Sequence, residues 1–169
     1  MKHFLNSFRY AMSGIIFSAK YERNMRIHIV AMLYVLFFTR FYDFDRAEII
    51  LLILTCIIAI TMEMINTSIE VVIDKVSPGY HTLAKIGKDV AAGAVLIATI
   101  GAVVIGIILF WDTSAFFEIW QHFTGSAVNG VLFLGSLMLS FLFINSGKKR
   151  KARIRKKVEE EGNKLHEEE

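Results

Sequence analysis

Four polar side chains recur at helical spacing in Glu63-Met-Ile-Asn66-Thr-Ser-Ile-Glu70-Val-Val-Ile-Asp74, directly after an apolar run. At about 100° per residue, Glu63, Asn66, Glu70 and Asp74 fall within about 80° of arc. Carboxylates at or near bilayer depth are costly, which makes them functional candidates before they are stabilising ones. Helical rise separates Glu63 from Glu70 by about 10 Å. A Mg²⁺–oxygen distance is only about 2 Å, so one ion cannot easily use both groups. The two carboxylates should therefore have different jobs. Glu70 is placed to take a metal carrying a nucleotide's phosphates. Glu63, one layer deeper, is placed to meet a lipid head group and accept a hydroxyl proton as general base. Asn66 lies between them and could orient either.

A magnesium ion normally rests on one or two protein carboxylates, with phosphate and water completing its shell. Glu22, beside Asn24 at the membrane surface, is the best second carboxylate. Lys88 and Asp89 open an apolar helix from the same side, and Lys88 can neutralise charge on a transferring phosphoryl group. Tyr80 and His81 could stack on adenine, although a Tyr-His pair in a loop is more often surface. Singly, each group has a bland reading. Glu63 could be a protonated, hydrogen-bonded acid or a proton relay. Glu70, Asp74, Lys75 and Lys88 could form an interfacial charge network. Jointly, a deep carboxylate, a shallow carboxylate, an amide and a lysine favour chemistry.

The elements that must position these groups are membrane helices. Apolar residues make up 54% of the 169 residues, and the mean hydropathy is +0.49. The fold class is all-α and integral to the membrane. Phe4, Leu5, Phe8, Met12, Ile15, Ile16 and Ala19 share one face of a first helix, with Asn6, Ser7, Arg9, Ser13 and Lys20 opposite. This pattern predicts an amphipathic helix lying in the membrane interface. The short, polar-interrupted apolar core argues against a cleaved signal peptide. Four spans are expected beyond it: Ile27 to Phe41, with Arg26 and Arg40 snorkelling at its ends; Ala47 through Met62, continuing as helix into the polar stripe; Val90 to Trp111; and Ala127 to Ser146.

Ser77-Pro78-Gly79 predicts a turn between the second and third spans. Gly87, Ala91, Ala94, Ala98 and Gly101 form a stripe of small residues read as close helix packing. Cys56, the single cysteine, is read as packing. Outer connections 39–48 and 112–126 carry only Arg40 and Arg46, and the other 17 of the 19 Lys and Arg lie elsewhere. The positive-inside rule then puts both termini and the 75–89 loop in the cytoplasm. The tail, Lys148 to Lys157 followed by Glu159 to Glu169, reads as a topology anchor touching anionic lipid, in preference to a nucleic-acid arm. No phosphate-binding loop or soluble-kinase signature is present.

The combination Glu63-x-x-Asn66-x-x-x-Glu70-x-x-x-Asp74, then Tyr80-His81, then Ala84-x-x-x-Lys88-Asp89, resembles the small bacterial integral-membrane lipid kinases. These are the prokaryotic diacylglycerol and undecaprenol kinases, and Glu22-Arg-Asn-Met-Arg-Ile-His28 looks like the Gram-positive undecaprenol branch. The likeness covers about residues 1–111. It implies a homotrimer of three-span protomers with a surface helix, sites shared between neighbours, and MgATP as donor. By position it makes Glu63 the catalytic base, Glu22 and Glu70 the Mg²⁺ ligands, and Lys88 with Asp89 nucleotide contacts. Gly79, Tyr80 and His81 would lie along the nucleotide, with Tyr10 as a further contact and Asn66 and Asp74 in support. Arg9 does not align with the arginine some relatives place on ATP. Residues 112–147 would add an outer loop and an additional span, and 148–169 a charged cytoplasmic tail.

The expected activity is ATP-dependent phosphorylation of a membrane lipid hydroxyl in a bacterial cell membrane, with undecaprenol as acceptor. Diacylglycerol is the alternative acceptor within the class. A small transporter using Glu63 as an ion or proton site is the rival of a different class. A purely structural scaffold would leave the Glu63, Glu70 and Lys88 grouping without a job.

Overall fold

A computed structural model describes residues 2–77, 79 and 81–146 as an all-helical chain. The helices are α1 (Lys2–Tyr21), α2 (Arg23–Phe38), α3 (Arg46–Val76), α4 (Thr82–Leu109) and α5 (Thr113–Thr124), followed by α6 (Ala127–Ser146). Pro78, Tyr80 and the charged tail lie outside the described residues. Three helices, α3, α4 and α6, are long and apolar enough to cross a membrane. Inside lipid, backbone polar groups must be satisfied within the segment, so the Ile- and Val-rich runs of α3 and α4 form helix despite the modest intrinsic propensity of β-branched residues.

α2 differs from expectation. It starts at Arg23, stops at Phe38 and is followed by a 3₁₀ turn over Thr39–Phe41. Its 16 residues give about 24 Å of rise, short of a hydrocarbon core of about 30 Å. Arg40 is exposed at its far end, as snorkelling requires. Arg26 is not: it is 2% exposed and folded back onto carbonyls. The segment expected as an outer loop contains α5, capped by Asp112 through the Ser114 amide at 2.9 Å. An Asp-Thr-Ser start followed by Phe116, Phe117, Ile119 and Trp120 is the signal that points to this helix.

α3 begins with a capping box. Asp45 Oδ1 accepts from the Glu48 amide at 2.8 Å, and Glu48 Oε2 accepts from the Asp45 amide at 2.9 Å. It runs unbroken for 31 residues, carrying the apolar span into the polar stripe as expected. α4 returns against it, and the two pack extensively. A Cβ on Gly87 would stand 3.2 Å from Ile73 Cδ1, so glycine here lets the helices meet without shifting that side chain. Ala91 is buried nearby. Further along, Ala94 and Gly101 are exposed and Val95 is buried instead, so the small-residue stripe packs only over its first half.

α6 lies antiparallel to α2. Phe133 meets Phe38, Ser136 and Ser140 meet the Tyr34 hydroxyl, and Ser146 meets Arg26. At the opposite end from the polar stripe, the Tyr42 hydroxyl donates to Phe110 O at 3.1 Å. Tyr42 and Phe44 pack edge-on against the Phe110 ring there. Most large apolar side chains on α3, α4 and α6 are exposed, as lipid-facing surfaces are.

Candidate active site

The α3 stripe is buried where it should be deepest. Glu63 is 2% exposed and Asn66 6%, and Thr67 between them and Glu70 is also buried. Glu70 is half-buried and Asp74 exposed. A hydrocarbon core of about 30 Å takes about 20 residues of helix. Counted from Ala47, the membrane boundary then falls close to Asn66, with Glu63 just inside and Glu70 a turn outside. Thr67 Oγ1 donates to the Glu63 carbonyl at 2.9 Å. Asn66 Nδ2 donates to Glu70 Oε1 at 3.1 Å, while Asn66 Oδ1 is buried without a hydrogen-bond partner among the described residues.

On α4, Lys88 is half-buried and forms an ion pair with Asp74. The helix pair thus closes the polar stripe from the side of the 77–81 connection. Asp89, His81 and Gly79 are exposed; His81 stands at the N-cap of α4 without a side-chain capping bond. Tyr10 is exposed on α1, with the Arg9 guanidinium 5.5 Å from its ring centre. Tyr80 is outside the described residues. The fold therefore joins Asn66 with Glu70 and Asp74 with Lys88, and leaves Tyr10, His81 and Asp89 at the surface.

Glu22 is the one extended residue (φ −94°, ψ 129°) separating α1 from α2. Its amide donates to Ser18 O at 2.9 Å, and its carboxylate is half-buried and does not cap α2. Arg26, which its place before an apolar run predicts to snorkel, is instead buried in the first turn of α2.

Among the described residues, no group of three or more His, Cys, Asp or Glu side chains converges as a metal cage. Magnesium needs no such cage, since one or two carboxylates together with phosphate oxygens suffice. Glu22 and Glu70 each offer the carboxylate oxygens that ion takes. A cavity of about 470 Å³ lies elsewhere, between α2, α5 and α6, lined by Leu33, Tyr34, Phe37, His122 and Phe133 among others, and none of the candidate site residues lines it.

Membrane-length helices carrying a buried carboxylate and amide at the bilayer boundary mark a functional site in a membrane protein, and sequence comparison assigns the kind. The chain belongs to the prokaryotic diacylglycerol kinase family, which matches it over residues 9–110, from α1 to the end of α4. That family consists of lipid kinases, so descent supports a phosphotransferase function. It is 41% identical over 103 residues to a diacylglycerol kinase of Synechocystis, covering 60% of this chain and 59% of that one. It is 33% identical over 110 residues to an undecaprenol kinase of Bacillus subtilis, covering 65% of this chain and 89% of the relative. It is also 33% identical over 103 residues to a diacylglycerol kinase of Escherichia coli, covering 61% and 84%. Relatives of both names match, so no single branch stands out. The expected nearness to the undecaprenol branch is replaced by membership in the family as a whole. The near-equal shares for the Synechocystis protein mean that the two chains are of similar length, whereas the other two are shorter.

Proposed function

We propose that this protein is an ATP-dependent lipid kinase whose acceptor is the hydroxyl of diacylglycerol. The carrying observation is Glu63, buried with Asn66 just inside the membrane boundary of a family member's longest helix. Preference for diacylglycerol over undecaprenol rests on the 41% identity to a protein of that name. No residue pattern reads the lipid's acyl chains directly.

In this reading the lipid stays in the bilayer with its hydroxyl at Glu63. The lipid oxygen forms a bond to the γ-phosphorus as the bond from that phosphorus to the bridging oxygen of ADP breaks. Glu63 takes the hydroxyl proton. Glu22 and Glu70 would hold Mg²⁺, which neutralises phosphate charge when bound with ATP. Lys88, released from Asp74, would face the transferring phosphoryl group, and Gly79, His81, Asp89 and Tyr10 would line the nucleotide. Positioning and charge stabilisation carry phosphoryl transfer, so a buried carboxylate next to a charged rim suits the chemistry.

The same proposal treats residues 1–111 as the kinase unit, assembling as a homotrimer with sites shared between neighbours, and α1 as a surface helix. α2 is the remaining span. With its 3₁₀ turn it extends about 30 Å, and it stays beside the membrane-length α6 from Arg26 to Phe38. Both termini would be cytoplasmic, with 148–169 as an anionic-lipid anchor.

A head-to-head assay with purified protein, labelled ATP and each lipid in mixed micelles tests this. Phosphatidic acid formed at a higher kcat/KM than undecaprenyl phosphate supports the assignment. The reverse order transfers it to undecaprenol, and no phosphorylated lipid from either removes it.

A further inference from the structure

Arg26 closes the first turn of α2, where the positive end of the helix dipole disfavours a cation. It is nevertheless buried, and a buried charge requires hydrogen bonds around it. Its Nε donates to Ala19 O at 2.8 Å and its Nη2 to Lys20 O. Its Nη1 donates to Phe143 O and Ser146 Oγ. The guanidinium carbon also stands 4.8 Å from the centre of the Phe143 ring. Ala19 and Lys20 belong to the last turn of α1, and Phe143 and Ser146 to the last turn of α6. Two helices thus present C-terminal carbonyls, the negative ends of their dipoles, to one cation.

Half of this arrangement comes from α6, which lies beyond the family match. The other half holds the last turn of α1, immediately before Glu22. We infer that α6, by seating Arg26, fixes the α1–α2 junction that carries Glu22, which makes Arg26 a positioning residue and α6 a working part of the nucleotide side of the site. The inference rests on Glu22 serving the metal–nucleotide complex, as proposed above. It assigns a task to the segment that distinguishes this chain from its shorter relatives.

The test perturbs α6 and leaves the kinase unit intact. Full-length protein with Phe143→Ala and Ser146→Ala together removes the ring and the hydroxyl but keeps the Phe143 carbonyl. KM for MgATP and the half-saturating Mg²⁺ concentration should each rise about three- to tenfold, the scale of a weakened hydrogen bond to a charged group. The kcat and the KM for lipid should stay within about twofold, since both substitutions lie on α6 and leave Glu63 and the rest of α3 unaltered. Arg26→Lys, which keeps the charge but not the fork, should raise the same two constants and not restore them. If Arg26→Lys fails to fold, the α6 variant alone decides.

In a Glu22→Gln background the α6 double change should add nothing. Unchanged Mg²⁺ and MgATP constants in the α6 variant, with Glu22→Gln altering them, overturn the inference and spare the kinase reading. A Glu22→Gln protein with a normal Mg²⁺ requirement overturns both the metal assignment of Glu22 and the inference built on it.

Discussion

Asn66 donates to Glu70 one helical turn further along α3, at 3.1 Å, with the amide buried and the carboxylate half-buried. A buried side-chain amide thereby holds the carboxylate one turn nearer the end of the stripe. Asn66→Ala should loosen Glu70 without removing its charge. Since a hydrogen bond to a charged group contributes about 1.5–3 kcal/mol, the half-saturating Mg²⁺ concentration should rise about tenfold or more. Titration of activity with Mg²⁺ at saturating lipid checks this. An unchanged midpoint would separate Asn66 from metal binding.

Glu63→Gln preserves shape and removes the base. Turnover should fall by about 10²–10⁴, the range for loss of a general base. Binding of MgATP, measured by fluorescence of a nucleotide analogue, should be retained. Near-normal turnover would take the proton-accepting role away from Glu63.

The Lys88–Asp74 ion pair separates stability from catalysis. Both side chains are partly solvated, 35% and 47% exposed, and such pairs contribute only about 0–1 kcal/mol. Lys88→Met should therefore leave thermal unfolding in detergent almost unchanged, while lowering kcat/KM for MgATP at least about tenfold through the lost charge on the phosphoryl group. A large fall in melting temperature with activity intact would mark the lysine as structural.

Tyr34→Phe removes the hydroxyl that lies 3.0 Å from Ser136 Oγ and 3.2 Å from Ser140 Oγ. Hydrogen bonds between membrane helices average about 0.6 kcal/mol, so a small loss of stability is expected. The α2–α6 pair keeps its aromatic packing through Phe38 and Phe133, and catalysis should not change. Unfolding in a graded detergent series measures it.

At the opposite end of the bundle, hydrogen bonds from the Ser114 hydroxyl and amide hold the Asp112 carboxyl below its ordinary value of 3.8. A lowered folded-state value stabilises the capped form above the ordinary value, and this contribution is lost as pH falls through the lowered one. The Ser114 amide resonance should accordingly titrate with a midpoint below the ordinary carboxyl value of 3.8. A midpoint at or above 3.8 would show that the cap is not formed.

Much of the membrane architecture was legible because lipid imposes one-dimensional rules. Uncharged runs of sufficient length must be helices, so α3, α4 and α6 follow from hydropathy, with α6 bounded at Ala127 and Ser146 as the composition suggests. The stripe from Glu63 to Asp74 was legible for the same reason: a 31-residue helix preserves its periodicity, and four residues on one arc stay on one arc. α5 was hidden because its apolar residues sit in a short segment between spans, where length rules are silent and the Asp112 cap decides.

Sequence by itself thus determined the three membrane-length helices, the polar stripe along α3 and the family, since these depend on residues near one another along a single regular element. Only the tertiary structure decided that Lys88 faces Asp74 across the α3–α4 pair. It alone decided that α6 lies antiparallel on α2, and that Arg26 is buried between the ends of α1 and α6 and does not reach water. These are relations between separate helices, and their register is chosen by side-chain packing and by the need to satisfy each buried polar group, which no pattern within one helix encodes.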